Sequence, residues 1–192
     1  MGRRNQKKRI RLSDSDLQSY AAEHFVYELE MLFGTASLFA SMPPTPVLKD
    51  AVLESFLLHM RSLVSFFYPV SVKPDDVIAD DFCGPPNAWR SQRPQQSRVL
   101  ETALTRAHKE LAHLTQGRIA GTPANKIWDL ETLSIELKSV TEKFIAIALP
   151  QRLDRSAAAK ILALLNPPSA TNVSTPSSLI AVAGLTHSVV KP

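Results

Sequence analysis

The sequence predicts an all-α protein, a four- to five-helix bundle with a disordered N-terminal arm and a disordered C-terminal tail. Two observations predict it. Apolar residues recur in steps of three and four over long stretches, and each stretch opens on a capping signal and closes on proline or glycine. Residues 1–12 read as a basic arm, 13–165 as one helical domain and 166–192 as a Pro/Ser-rich flexible tail.

Ser13 followed by Asp16 has the form of a capping box and opens a helix predicted to run to about Ser41, where Pro43, Pro44 and Pro46 end it. Leu17, Tyr20, His24, Tyr27, Met31 and Leu38 make one stripe along it. Phe25, Leu29, Leu32, Ala36 and Phe39 make an adjacent one, so a wide apolar face is predicted to be buried. Thr45 as N-cap with Pro46 at the first helical position starts a second, very apolar helix that ends at Tyr68, before Pro69. Residues 69–95 hold five prolines and no sustained period, which predicts a long excursion with one helical turn around Asp75 to Phe82. Ser97 caps a third helix, with Leu100, Leu104, Ala107, Leu111 and Leu114 in helical register until Gly117. Thr122-Pro123 signals a fourth, carrying Leu130, Leu133, Leu137, Val140, Phe144 and Ile147 up to Pro150. A short fifth helix is predicted over about Ser156 to Leu165, and beyond Asn166-Pro167-Pro168 the chain is rich in Ser, Thr and Pro.

The 192 residues are 44% apolar and 21% charged, enough to bury a core without metal or disulfide support. No apolar run approaches the roughly 18 residues of a membrane helix, and the basic N-terminus leads into Leu12-Ser13-Asp14 rather than an apolar signal core. A lone Cys83 excludes an internal disulfide framework, so a cytoplasmic protein without membrane association is expected. The formal charge of +4 is unevenly spread. Arg3, Arg4, Lys7, Lys8, Arg9 and Arg11 lie in the arm with no acid, and removing these six from 22 basic residues leaves 16 against 18 acidic ones. Such an arm suits nucleic-acid phosphates, bound without reading sequence; its other reading is a solubilising terminus.

With six glycines, no glycine-rich phosphate loop, no G-x-S-x-G elbow and no H-E-x-x-H, the nucleotide-binding and serine-hydrolase classes lose support. Asp75, Asp76, Asp80 and Asp81 carry the oxygen donors of a Mg²⁺ site, but no second cluster accompanies them. The expectation is therefore no metal, with Asp75 capping a turn and the others in solvent. Polar residues inside apolar helices are more informative. Glu54 and Arg61, seven residues apart, fall on one helix face roughly 10 Å apart, with His59 on the neighbouring stripe; Arg106 and His113 repeat that separation, with Lys109 and Glu110 between them. These residues predict either a structural polar network or a site.

The run Arg106-Ala107-His108-Lys109-Glu110-Leu111-Ala112-His113 has the form R-x6-H and resembles the R-x(4 to 6)-H motif of the HEPN superfamily. The text around it also looks like a family of uncharacterised bacterial proteins over about residues 20 to 145: Leu53 to Arg61, Asp75 to Phe82, Trp89, and Lys109 to Thr115. The position after the motif arginine is often polar in active HEPN members; here it is Ala107, with His108 one place on. The resemblance implies a compact helical bundle and a metal-independent RNA endonuclease of toxin or phage-defence type, acting without a cofactor. Arg106 would clamp phosphate and His113 act as general acid or base, with Glu54, His59, Arg61 and Lys109 as supporting polar groups. It further implies RNA as substrate, a homodimer whose protomers share a cleft, and a cognate antitoxin. The alternative is a non-catalytic helical module for RNA or protein binding.

Overall fold

The structure, a computed structural model, describes residues 9–43, 45–111 and 127–167, and within them every regular element is helical. The first helical rod is α1 (Asp14–Tyr20), a π-helical turn (Ala21–Phe25) and α2 (Val26–Ser41). The capping box at its start is formed: Asp16 N–H donates to Ser13 Oγ at 3.1 Å, and Ser13 N–H to the Asp16 carboxylate at 3.3 Å. Helix α3 (Pro46–Phe67) packs along α2 as the most extensive helix pair, and α6 (Arg98–Glu110), α7 (Leu130–Ile147) and α8 (Arg155–Leu165) complete the bundle around them. Two short helices, α4 (Ala79–Phe82) and α5 (Ala88–Gln92), lie in the proline-rich excursion.

The π-turn inserts an extra residue per turn and so shifts which side of the rod faces inward. Phe25, Leu29 and Leu32 are buried as predicted. Tyr27 and Leu38 of the other predicted stripe are instead about half exposed, and His24 is exposed. Helix α7 begins later than Thr122-Pro123 suggested. Residues 127–129 are non-helical, and Asp129 caps Leu130–Ile147 by accepting the Thr132 N–H at 2.9 Å. Where α6 was expected to continue to Gly117, and over residues 1–8 of the arm and 168–192 of the tail, the sequence is outside the described residues.

The core centres on Phe144 of α7. Five rings surround it, Phe25, Phe66, Phe67, Phe82 and Trp89, with centroids 5.3–5.7 Å away and mostly edge-on, the favoured arrangement for aromatic quadrupoles. Trp89 Nε1–H and Arg93 Nη1–H both donate to the Phe67 carbonyl, at 2.8 and 2.7 Å, so the excursion caps the C-terminus of α3 while filling the core.

Asp75 is exposed, but Asp76, Asp80 and Asp81 do not lie free in solvent as expected. Asp80 accepts the backbone N–H groups of Asn87 and Trp89, Asp81 accepts that of Ile78 and pairs with Arg9, and Asp76, rather than Asp75, closes a turn by accepting the Lys73 N–H. These carboxylates staple an irregular segment whose backbone donors have no helix to satisfy them. Arg9 also donates to the Asp76 carbonyl at 2.8 Å, and Ile10 N–H to the Pro74 carbonyl at 3.2 Å. Arg9 is therefore committed to the fold rather than held out for nucleic acid, whereas Arg11 is exposed and Arg3, Arg4, Lys7 and Lys8 lie outside the described residues.

Candidate functional site

Helix α6 carries two clefts because residues two apart on a helix point about 200° apart. Ala107 and Leu100 face the core; Arg106 opens on one side of the helix and His108 on the other.

The first is a groove of about 410 Å³ between α6 and the start of α7, whose polar lining is Arg98, Thr102, Arg106, Trp128, Asp129 and Thr132. The Arg106 guanidinium lies over the Trp128 ring, 3.8 Å from its centroid. Its Nε and Nη2 donate to the two carboxylate oxygens of Glu110, at 3.0 and 3.2 Å, and Nη1 donates to the Ile127 carbonyl at 3.2 Å. The planar fork is thus filled by an internal carboxylate at one edge and a carbonyl at the other, and held flat by an indole. Neither Glu110 nor Trp128 was singled out from the sequence as its partner. The i, i+4 spacing of Arg106 and Glu110 was a legible signal for the first contact; no spacing could have indicated the second.

His113, the predicted acid–base partner, lies outside the described residues. Lys109 is exposed. The other predicted polar residues divide. Glu54 is exposed and Arg61 half-buried, and no hydrogen bond or ion pair joins them among the described residues, so the buried network expected around this pair is not there. Helix α3 turns Phe56, Met60, Leu63 and Phe67 inward, and Glu54 and Arg61, seven residues apart, fall on the side away from that core.

His59 is buried, but its partner is on another helix. Its Nδ1–H donates to Glu28 Oε2 of α2 at 2.9 Å, and its ring stands edge-on to Tyr27 at 5.5 Å. The pairing spans 31 residues and depends on how α2 and α3 dock, which sequence spacing alone does not reveal.

The second cleft, about 500 Å³, lies between the π-turn, the C-terminal half of α3, the excursion and the His108 side of α6. Its ionisable lining is Tyr20, His24, Glu28, Tyr68, Asp75, Asp76 and His108, without lysine or arginine among the described residues. Burial first, then the nearby carboxylates of Glu28 and Asp76, push the Tyr20 phenol above its ordinary pKa, so it stays protonated. Among the described residues no group of three or more His, Cys, Asp or Glu side chains is gathered as a metal ion would require, and no helix is long and apolar enough to cross a membrane. Comparison with protein-family models, with curated proteins and with solved structures finds no match for this chain.

Proposed function

We propose that the chain is a HEPN-like helical bundle that binds single-stranded RNA along the groove between α6 and α7 and cleaves it without a metal, in the manner of toxin or phage-defence nucleases. One observation carries this reading. A guanidinium stacked on an indole lines a groove that also holds Arg98, Thr102, Thr132 and the Asp129 carboxylate, and Arg106 stands seven residues before His113 in the sequence. Cationic donors for phosphate beside an aromatic face for a base are what unpaired RNA requires. Cleavage would use the RNA's own 2′-hydroxyl as nucleophile, with Arg106 stabilising the charge that develops on phosphorus and His113 moving the proton. A homodimer supplying a second Arg–His pair, and an antitoxin covering the groove, belong to the same proposal.

The Glu110 carboxylate does not prevent it. The pair is a part-exposed i, i+4 ion pair, which contributes about 0.3–0.5 kcal/mol, so exchanging Glu110 for a phosphate at Arg106 costs little. A second reading, a non-catalytic RNA-binding module, is favoured by the same geometry seen the other way: every edge of Arg106 already has a partner in the fold.

Incubation of the full chain with labelled single-stranded RNA in EDTA decides between them. The expected result is cleavage leaving a 2′,3′-cyclic phosphate, slowed on the order of 10²–10⁴-fold in His113→Ala and 10²–10³-fold in Arg106→Ala, with both variants folded by circular dichroism. RNA binding without cleavage selects the module, and absence of binding overturns both.

A further inference from the structure

We propose that residues 179–185 of the C-terminal tail dock on the chain's own α2, in line with α8, over an apolar face that α8 is too short to cover.

Helix α8 runs beside the first rod and stops partway along it. Arg152, just ahead of α8, donates from Nε to Asp14 Oδ1 at 2.7 Å, which fixes the beginning of α8 near the start of the rod; from there α8 packs on the π-turn and on α2. Its 11 residues cover about 16 Å, whereas the rod, with parts of 7, 5 and 16 residues in succession, spans about 40 Å. Burial follows the difference. Along one stripe of α2, in steps of three and four, Val26 and Leu29 are buried, Phe33 and Ala36 are half-buried and Ala40 is exposed. The same stretch is neutral, since the run from Met31 to Leu48 includes no Asp, Glu, Lys or Arg. A helix face that stays apolar and uncharged past the end of its cover suits a further apolar segment.

The tether names the occupant. The chain leaves α8 at Asn166, whose Oδ1 accepts from Lys138 Nζ at 2.8 Å, and about 40 Å of extended chain at most separates Pro167 from Leu179. That reach exceeds the roughly 25 Å of rod that α8 leaves uncovered. Residues 179–185 read Leu-Ile-Ala-Val-Ala-Gly-Leu, and no Asp, Glu, Lys or Arg occurs between positions 168 and 190, so the segment brings apolar surface to a neutral face without burying a charge. A segment so tethered meets the face at an effective concentration of about millimolar, so a weak contact is enough to fill it, and a second copy has to bind far more tightly to compete.

Nuclear magnetic resonance of the full chain carrying a nitroxide tests the docking. Cys83 is wholly buried, so a cysteine placed at exposed Ser37, four residues after Phe33 on α2, or at exposed Ile135 of α7 takes the label. Ile135 is three residues from the Lys138 that meets the end of α8, within reach of the same tether. With the label at Ser37→Cys the amide signals of residues 179–185 should be lost, and with the label at Ile135→Cys they should be retained. Adding Ile180→Asp/Val182→Asp to the Ser37-labelled chain should restore them. Signals retained with both labels, equal losses from both, or losses that persist in Ile180→Asp/Val182→Asp overturn the proposal. So do losses that appear only when isotope-labelled chain is mixed with spin-labelled chain, which assigns the face to a second copy.

Discussion

The two tryptophans of this chain sit in opposite circumstances. Trp89 is 1% exposed, touches Phe67 and Phe144, and donates its indole N–H to the Phe67 carbonyl. Trp128 is half-buried at a groove mouth, with the Arg106 guanidinium over its ring. One indole fills the core and caps a helix. The other holds a cation flat beside solvent, in a corner that can exchange one partner for another. The contrast separates what the fold needs from what a ligand can use, and each half can be broken experimentally.

The largest difference should be chemical. Cys83 lies wholly buried beside the Trp89 half, its Sγ 3.5 Å from the Ala79 carbonyl. Burial first, then Asp80, pushes its thiol up to about 12, with Arg152 opposing. At pH 8 the thiolate fraction is about 10⁻⁴, so Ellman's reagent should react orders of magnitude more slowly with the native chain than with the chain in urea. The sign for stability follows. The raised pKa favours the folded state fully below about pH 9, the ordinary thiol range, and that contribution is lost as pH rises towards 12. Rapid native-state labelling would mean that this half of the core opens readily.

Next in size is stability. Phe144→Ala removes the ring that five others surround and should cost about 3–5 kcal/mol in urea unfolding, with Trp89→Ala in the same range. Trp128→Ala should cost less, about 1–2 kcal/mol, since the ring is only half-buried against the core and its other contact is a partly solvated cation–π pair. Equal losses at Trp89 and Trp128 would erase the distinction between the two regions.

The same division governs what the sequence disclosed. Helix starts set by local chemistry, Ser13 with Asp16 and Ser97 with Leu100, were legible because cap and recipient lie three residues apart. The core stripe of α7 was legible because burial on one face imposes a period. The bonds that shape the sites were not. His59 reaches Glu28 across a helix pair, Arg106 reaches Ile127 and Trp128 across 15 residues outside the described chain, and Asp80 reaches Asn87 and Trp89 within a segment that has no period. The π-turn was hidden as well, since Tyr20 to Phe25 fits an ordinary helical pattern and only packing shows the extra residue.

Third comes RNA affinity, which rests on the proposed function. Trp128→Ala should weaken single-stranded RNA binding about tenfold, within the roughly 1–3 kcal/mol that one stacked base contributes, while the folded fraction stays unchanged. Intrinsic fluorescence reports it directly: RNA should perturb the emission of Trp128 and leave Trp89, sealed in the core, unaffected. A Trp89 response would mean that RNA acts through the core rather than at the groove.

The smallest expected effect is also the most specific. Glu110 fills the edge of Arg106 that a phosphate would need, through two hydrogen bonds of 3.0 and 3.2 Å. Glu110→Gln removes the competing charge but keeps a polar side chain of the same length, and Trp128 still holds the guanidinium flat. An ion pair of about 0.3–0.5 kcal/mol corresponds to about a twofold change in affinity, and relieving carboxylate–phosphate repulsion adds about as much again. RNA should therefore bind Glu110→Gln about two- to fivefold more tightly at low salt, with the gain shrinking at high salt as screening reduces both contributions. If affinity falls instead, Glu110 is needed to aim Arg106. The arginine would then be a rivet between α6 and the Ile127 carbonyl, and the groove's cation for RNA would have to be Arg98.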